Sequence, residues 1–279
     1  MAIVISIATQ KGGVGKTTTA VNLAHALASR PHNKQVLVVD LDPQANASMV
    51  LGIVEPDQQG KTVANILTEE NVLFENCCVP TKYENINLIP SNINLFACGR
   101  SLQQNELSMV LGLQKRLDRR TLAKYDFIIL DCPPNLGGPF MTNGMMITDH
   151  FILPIEGSSK FALSGVEQFL ATIKEIKEFA PKKLNLLGVL ITRHDKRTTV
   201  SKICEEVVLE RFGDDVFNTR IHRCTAIDQA NMMNKTVLDL DSKNPCSKDY
   251  KKLALEILQR LGEPTSDVDL SSDPETDDE

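Results

Sequence analysis

No run in this 279-residue chain approaches the roughly 20 consecutive apolar residues that span a bilayer. The opening MAIVISIATQ has neither a basic n-region nor a cleavage site, so a cytoplasmic protein is expected. Cysteine is poorly arranged for a metal site or a disulfide framework: the seven are an odd number, none stands in C-x-x-C, and only Cys77 and Cys78 are adjacent. They are expected to be reduced, mostly buried, small apolar residues. Basic charge is missing from one segment, residues 263–279, EPTSDVDLSSDPETDDE, which holds eight acids. The remaining 262 residues carry 30 basic against 28 acidic side chains, so the net charge of -6 belongs to the tail. Pro, Ser, Asp and Glu dominate there, with only Val268 and Leu270 to bury. The organisation expected is a globular domain over 1–262 and a disordered acidic tail over 263–279.

Short apolar runs recur between helical patterns: AIVISIA at 2–8, QVLVVDLD at 35–42, INLIP at 86–90, DFIILD at 126–131, HFILPI at 150–155 and NLLGVLIT at 185–192. They are continuous rather than alternating, which means burial on both faces. Helical stretches such as 16–30, 162–179 and 198–211 supply the crossovers. The fold class predicted is α/β: a doubly wound, mostly parallel, twisted sheet flanked by helices. Ligands of such sheets sit at the carboxyl ends of the strands. Residues 52–124 carry the weakest pattern, with PDQQGK and VPTKYEN marking loops.

The strand at 2–8 runs into ATQKGGVGKTT, which nearly spells the phosphate-binding loop G-x-x-x-x-G-K-[ST]. Gly15, Lys16 and Thr17 complete its end, but Gln10 stands where the first glycine belongs, and a second lysine, Lys11, follows. Backbone N–H groups and the dipole of the helix opening at KTTTAVNLAHALA converge on one point, which suits a phosphate. Gly12, Gly13 and Gly15 permit close approach beside Val14, Lys16 brings charge to the β and γ phosphates, and the Thr17 hydroxyl, next to Thr18, can hold Mg2+. YDFIIL delivers Asp131 before CPP, the place of a Walker B acid, and QVLVV delivers Asp40 before LDPQANAS. Thr17, Asp40 and Asp131 are the candidate magnesium shell, with Asp40 orienting the attacking water and Asp42 a helper or structural residue.

Together KGGVGKTT, VLVVDLDPQANAS and YDFIILDCPP resemble the deviant Walker A ATPases, P-loop NTPases of the ParA/MinD superfamily, and above all the ParA/Soj partition proteins. The resemblance covers about residues 1–260. It implies ATP and Mg2+ as cofactors, slow partner-stimulated hydrolysis, and an ATP-bound sandwich homodimer in which Lys11 reaches across to the phosphates of the other subunit. Lys11, Lys16 and Asp40 are the expected catalytic groups. Two faces loaded with ATP repel unless each lends the other a cation.

Other relatives with this loop fit less well. MinD ends in a basic amphipathic membrane helix, and this chain's last residues are acidic, so no membrane partner is expected. Cys98 and Cys132 lack the spacing of the nitrogenase iron protein, and of three tyrosines none follows Tyr250, unlike tyrosine kinases of this class. Partition proteins carry a D-x-R-T segment, matched by Asp195, Lys196, Arg197 and Thr198, and an I-P-R element, matched in part by Ile221, His222 and Arg223. Residues 182–223 hold nine basic and six acidic side chains. The resemblance implies nonspecific double-stranded DNA held at Arg197 and Arg223, with Lys196, Lys202, Arg220 and Lys235 assisting, and a ParB-type, DNA-bound partner. His222, Ala226, Gln229, Asn234 and Thr236 depart from the family pattern. No helix-turn-helix precedes the first strand, so sequence-specific operator binding is not expected. The function expected is DNA partition by a cytoplasmic, nucleoid-associated ATPase. The alternatives are a MinD-like positioning ATPase that carries protein without DNA and a metabolic P-loop enzyme of the dethiobiotin synthetase kind.

Overall fold

The computed structural model describes residues 1–103, 110–159, 163–180 and 184–265. The tail from 266 onward, the first residue of the helix expected at 162–179, and Lys182 and Lys183 of the basic stretch lie outside the described residues.

Seven strands form one sheet in the order β3-β4-β2-β5-β1-β6-β7. They are β1 (Ile3–Ile7), β2 (Val36–Asp40), β3 (Val79–Pro80), β4 (Ile86–Ile89), β5 (Phe127–Asp131), β6 (His150–Glu156) and β7 (Asn185–Thr192). All six expected strands are present and parallel to one another. The seventh, β3, pairs antiparallel with β4 through only Val79 and Pro80, a length with no periodicity to detect. The helices needed below are α1 (Lys16–Ala28), α2 (Asn46–Val50), α3 (Pro139–Ile147), α4 (Val166–Phe179), α5 (Thr199–Phe212), α6 (Thr225–Met232), α7 (Val237–Leu240) and α8 (Pro245–Leu261). The region of weak pattern contains short pieces, among them Val63–Thr68, Phe74–Cys77 and Arg119–Lys124, each too short for a helical period to register.

Continuous apolar strands follow from two separate cores. On one face Ile5, Ile7, Val36, Val38, Phe127 and Ile129 pack with Leu23 and Leu27 of α1 and Tyr250, Leu253 and Ile257 of α8. On the other, Val4, Leu37, Val39, Ile128 and Leu130 pack with Met141 and Met145 of α3 and Phe169 and Ile173 of α4. Leu27 is fully buried, so truncation to alanine costs about 2–5 kcal/mol and loosens α1 behind the phosphate loop. The apolar face of α8 is likewise spent on the core. No helix among the described residues is long and apolar enough to cross a membrane.

From β1 the chain passes over β5 to reach β2, and from β5 it later passes over β1 to reach β6. The carboxyl ends of β1 and β5 therefore lie where the winding reverses, the place where such sheets open a ligand crevice. Register puts Ile7 opposite Asp131 and Asp131 opposite Asp40, so three strand ends finish level.

One cysteine expectation is corrected. Cys224 and Cys246, 22 residues apart, bring their sulfurs into bonding contact across a Cα–Cα distance of 6.8 Å. Sequence spacing gave no hint, because α6 and α7 fold back to close the gap. Cys77, Cys78, Cys98, Cys132 and Cys204 are free.

Candidate nucleotide site and adjoining cationic face

Between Ala8 and α1 the loop passes Gly13 at φ 75° and Gly15 at φ 85°, left-handed conformations that favour glycine. Gly15 caps α1 without any side-chain hydrogen bond, leaving the first turn's N–H groups to a ligand. Gln10, at the missing glycine, turns its carboxamide toward Gly165 before α4; a Cβ at Gly165 would lie 3.0 Å from its Oε1. The Thr192 hydroxyl at the end of β7 donates to the Val14 carbonyl at 2.9 Å and pins the loop to the sheet.

Lys16 is 7% exposed, and its ammonium donates to the Lys11 carbonyl at 2.9 Å. Burial lowers its pKa, opposed by the negative charge of Asp131. Asp131 is buried, and neither of its carboxylate oxygens takes a well-formed hydrogen bond among the described residues. Its pKa is raised well above the usual range by burial and then by Asp40, while the Thr17 hydroxyl and the Lys16 ammonium favour its charged form. A buried carboxylate facing a hydroxyl and lacking hydrogen bonds fits a hard cation such as Mg2+.

Asp40 is a different kind of acid. It is fully buried, and its Oδ2 accepts from the Ser48 amide at 2.9 Å and the Ser48 hydroxyl at 2.7 Å, while its Oδ1 accepts from the Asp42 amide at 3.1 Å. Burial raises it to about 6 against those bonds. Asp40 thus braces the turn into α2, with three protein hydrogen bonds on its carboxylate. The acid expected to orient water and hold the metal is the one already bonded to α2. Asp42 is half-buried, its Oδ1 accepts from the Gln44 amide at 2.9 Å, and its charge is felt by Lys16 and Asp131.

Lys11 lies at the mouth of the site, its ammonium 3.3 Å from Glu156 Oε2 and 3.0 Å from the Ser159 hydroxyl. Glu156 also pairs with Arg193 at 3.5 Å. Arg193 sits at φ 50°, left-handed for a residue with a Cβ, directly after β7. It lines a cavity of about 230 Å³ that continues from Gly15 and Thr18 to Arg223, Asp228 and Asn231. Arg193, Glu156 and Asp228 were not legible as site residues, since no spacing marks the far wall of a cavity built from β6, β7 and α6.

The two cation-bearing segments come together. His194 donates its amide to Ile221, and Arg223 donates its amide to His194, so Asp195–Thr198 lies beside Ile221–Arg223. Lys196, Arg197, Lys202 and Arg223 are exposed. Arg197 holds Asp195 with two bonds of 3.0 Å, which lowers Asp195 to about 2. Arg220 does not belong to this face. Its guanidinium is 12% exposed, pairs with Glu205 at 2.9 Å and bonds the Phe217 carbonyl, so it braces the loop from within. Glu205 also holds His194 at 2.9 Å. Lys235 belongs to another cluster, 3.7 Å from Asp239, whose carboxylate in turn accepts from Tyr83.

The family described as AAA domain matches residues 2–186. The sporulation initiation inhibitor protein Soj of Bacillus subtilis is 35% identical over 260 residues, covering 92% of this chain and 98% of Soj. The chromosome partitioning protein ParA of Caulobacter vibrioides is 34% identical over 258 residues, covering 92% of this chain and 94% of ParA. Among solved structures, cobyrinic acid a,c-diamide synthase from Mycobacterium smegmatis, with bound ADP and magnesium, superposes with a TM-score of 0.78 at 31% identity, over 94% of this chain and 96% of that one.

Proposed function

The chain belongs to the ParA/Soj family of deviant Walker A ATPases, and from that premise we propose a partition ATPase that binds ATP with Mg2+, pairs with a second copy, and then holds DNA without reading its sequence. The observation that carries the nucleotide reading is the convergence of Lys16, Thr17 and Asp131 on the glycine loop at level strand ends. Thr17 and Asp131 would hold a magnesium ion, which would supply charge neutralisation at the phosphates. Lys16 leaves the Lys11 carbonyl for the β and γ phosphates, and Asp42 orients the attacking water. Lys11 leaves Glu156 for the partner's phosphates. The cavity beside Arg193 and Asp228 takes the rest of the nucleotide.

Arg223 carries the link to DNA, since it lines the nucleotide cavity and borders the Asp195–Thr198 segment. Loading the site and pairing two copies would set two such faces side by side. A DNA-bound partner of ParB type then stimulates hydrolysis and release, with nucleoid association as the consequence. The experiment is DNA binding measured with ATP, with ADP and without nucleotide. The reading requires ATP alone to give salt-sensitive binding; equal binding in all three states overturns it.

A second reading is favoured by one observation: Arg197 is committed to Asp195 and Arg220, mostly covered, to Glu205, so the exposed cationic face is smaller than the sequence count suggests. On that reading the ATP-bound dimer positions a protein cargo, and no ATP-dependent DNA binding appears.

A further inference from the structure

Cys224 is the N-cap of α6, and Cys246 is the second residue of α8. Two helix N-termini thus converge on one sulfur pair, and the positive end of each dipole favours thiolate over thiol. Arg223 adds a neighbouring cation. Cys246 is fully buried, while Cys224 is half-buried and lines the nucleotide cavity, so a small reagent has one way in. Each sulfur also has an acceptor within reach for its reduced form: the His222 carbonyl lies 3.3 Å from Cys246 Sγ, and Asn244 Oδ1 lies 3.6 Å from Cys224 Sγ. Reduction therefore strands neither thiol. The other buried cysteines contrast with this pair, since burial pushes Cys77 up to about 11 and Cys98 and Cys132 up to about 12, which keeps them protonated and slow to react.

We propose that Cys224 and Cys246 form a reversible thiol–disulfide site, oxidised by low-molecular-weight disulfides, that fastens the wall of the nucleotide cavity to the start of α8. The Cys224 thiolate attacks one sulfur of the small disulfide, its S–S bond breaks, and one small thiolate leaves with the electron pair. Cys246 then gives its proton to solvent and attacks Cys224 Sγ, expelling the second half of the reagent. Two protein thiols are oxidised and one small disulfide is reduced to two thiols; a dithiol runs the sequence backward. The closed loop contains α6 and α7. Its far end is already held where the Val237 amide donates to Asn22 of α1 at 2.7 Å. Closing the bond fixes both ends of the segment that carries Asp228 and Asn231, so the oxidised form presents the cavity preorganised.

The test equilibrates the full chain, first reduced, against mixtures of reduced and oxidised glutathione. Alkylation and peptide mapping are expected to find Cys224 joined to Cys246 while the five other cysteines still alkylate. Hydrogen exchange across 225–236 is expected to slow by about tenfold on oxidation. Cys224→Ser, at the half-buried position, should abolish both effects, and Cys246→Ala should trap glutathione on Cys224. The proposal is overturned if wild-type protein stops at a glutathione adduct, if Cys77 and Cys78 take the oxidant first, or if exchange across 225–236 is the same in both forms. ATP affinity, expected to be about threefold tighter in the oxidised form, rests on the nucleotide reading. If neither form binds ATP, that reading fails, and mapping and exchange alone decide this one.

Discussion

The Lys11 ammonium and the Glu156 carboxylate lie 3.3 Å apart within one subunit. A lysine that serves the other subunit must first leave this partner, so Glu156 opposes dimer formation by the strength of the pair. Partly exposed pairs are worth about 0–1 kcal/mol, or up to about fivefold in an equilibrium constant. Each dimer breaks two such pairs, so Glu156→Gln is expected to tighten the ATP-bound dimer by up to about 25-fold, about fivefold per subunit, measured by light scattering against concentration. Lys11→Ala should bind ATP yet stay monomeric. An ATP-stable dimer of Lys11→Ala refutes the role in trans.

Asp40 and Asp42 should separate cleanly. Asp42→Ala is expected to keep ATP, lose hydrolysis and accumulate dimer. Asp40→Ala leaves the buried Ser48 amide and hydroxyl without their acceptor, at a cost of about 1–3 kcal/mol each, and should show first as a lower melting temperature. If Asp42→Ala hydrolyses at the wild-type rate while a stably folded Asp40→Ala does not, the assignment made from hydrogen bonding is reversed.

That exchange of roles marks what the sequence could and could not carry. Strands such as Phe127–Asp131 were legible because burial on both faces leaves an unbroken apolar run, and the phosphate loop was legible because each glycine and lysine has a local reason. Asp40 and Asp42 look alike in VDLDP. Only Ser48, eight positions on and folded back by α2, shows which is spent. Arg220, in a loop, misled in the same way, since its partner Glu205 lies fifteen positions back on α5. Contacts between elements leave no period in a sequence.

A pH dependence follows from the two level acids. Burial raises Asp40 to about 6 and Asp131 well above the usual range, so between the ordinary carboxylate pKa and these values the folded chain binds more protons than the unfolded one. Stability then falls as pH rises through that window. His25, which burial lowers to about 4, pulls the other way across the same window, so the effect is read as a difference: the melting temperature of the nucleotide-free protein is expected to drop relative to that of Asp131→Asn as pH climbs from about 4 to above 6. Asp131→Asn, which stays neutral, should drop less. A wild-type curve that falls no more steeply than that of Asp131→Asn contradicts the sign.

Removing residues 266–279 should change the melting temperature by less than about 2 °C, because composition gives this segment almost nothing to bury. The cut leaves Glu263, which pairs with Lys34 at 3.2 Å and belongs to the folded part. Seven of the tail's acids go with it, so DNA affinity at low salt should rise. A large loss of melting temperature shows that the segment packs on the domain.

DNA binding should rest on Arg197 and Arg223, with Lys196 and Lys202 as lesser contributors and Arg220 as a brace. One subunit offers few exposed cations, and contacts that are individually weak become useful when a dimer doubles them, so ATP should switch binding on. If the dimer neutralises Z phosphates, log affinity falls against log salt with a slope of about -0.9Z, and losing one arginine from both subunits flattens it by roughly two units. Arg223→Ala should show this fully. Arg197→Ala should show less, because Arg197 gives up Asp195 to meet a phosphate and part of its charge is already compensated. Arg220→Ala should instead lower the melting temperature, since it leaves Glu205 with His194 alone and frees the loop that carries Arg223. Scrambled and native DNA should bind within a few fold of each other, because phosphate contacts carry no sequence information. The assignment fails if Arg197→Ala and Arg223→Ala, singly and together, leave both the ATP-dependent binding and its salt slope unchanged.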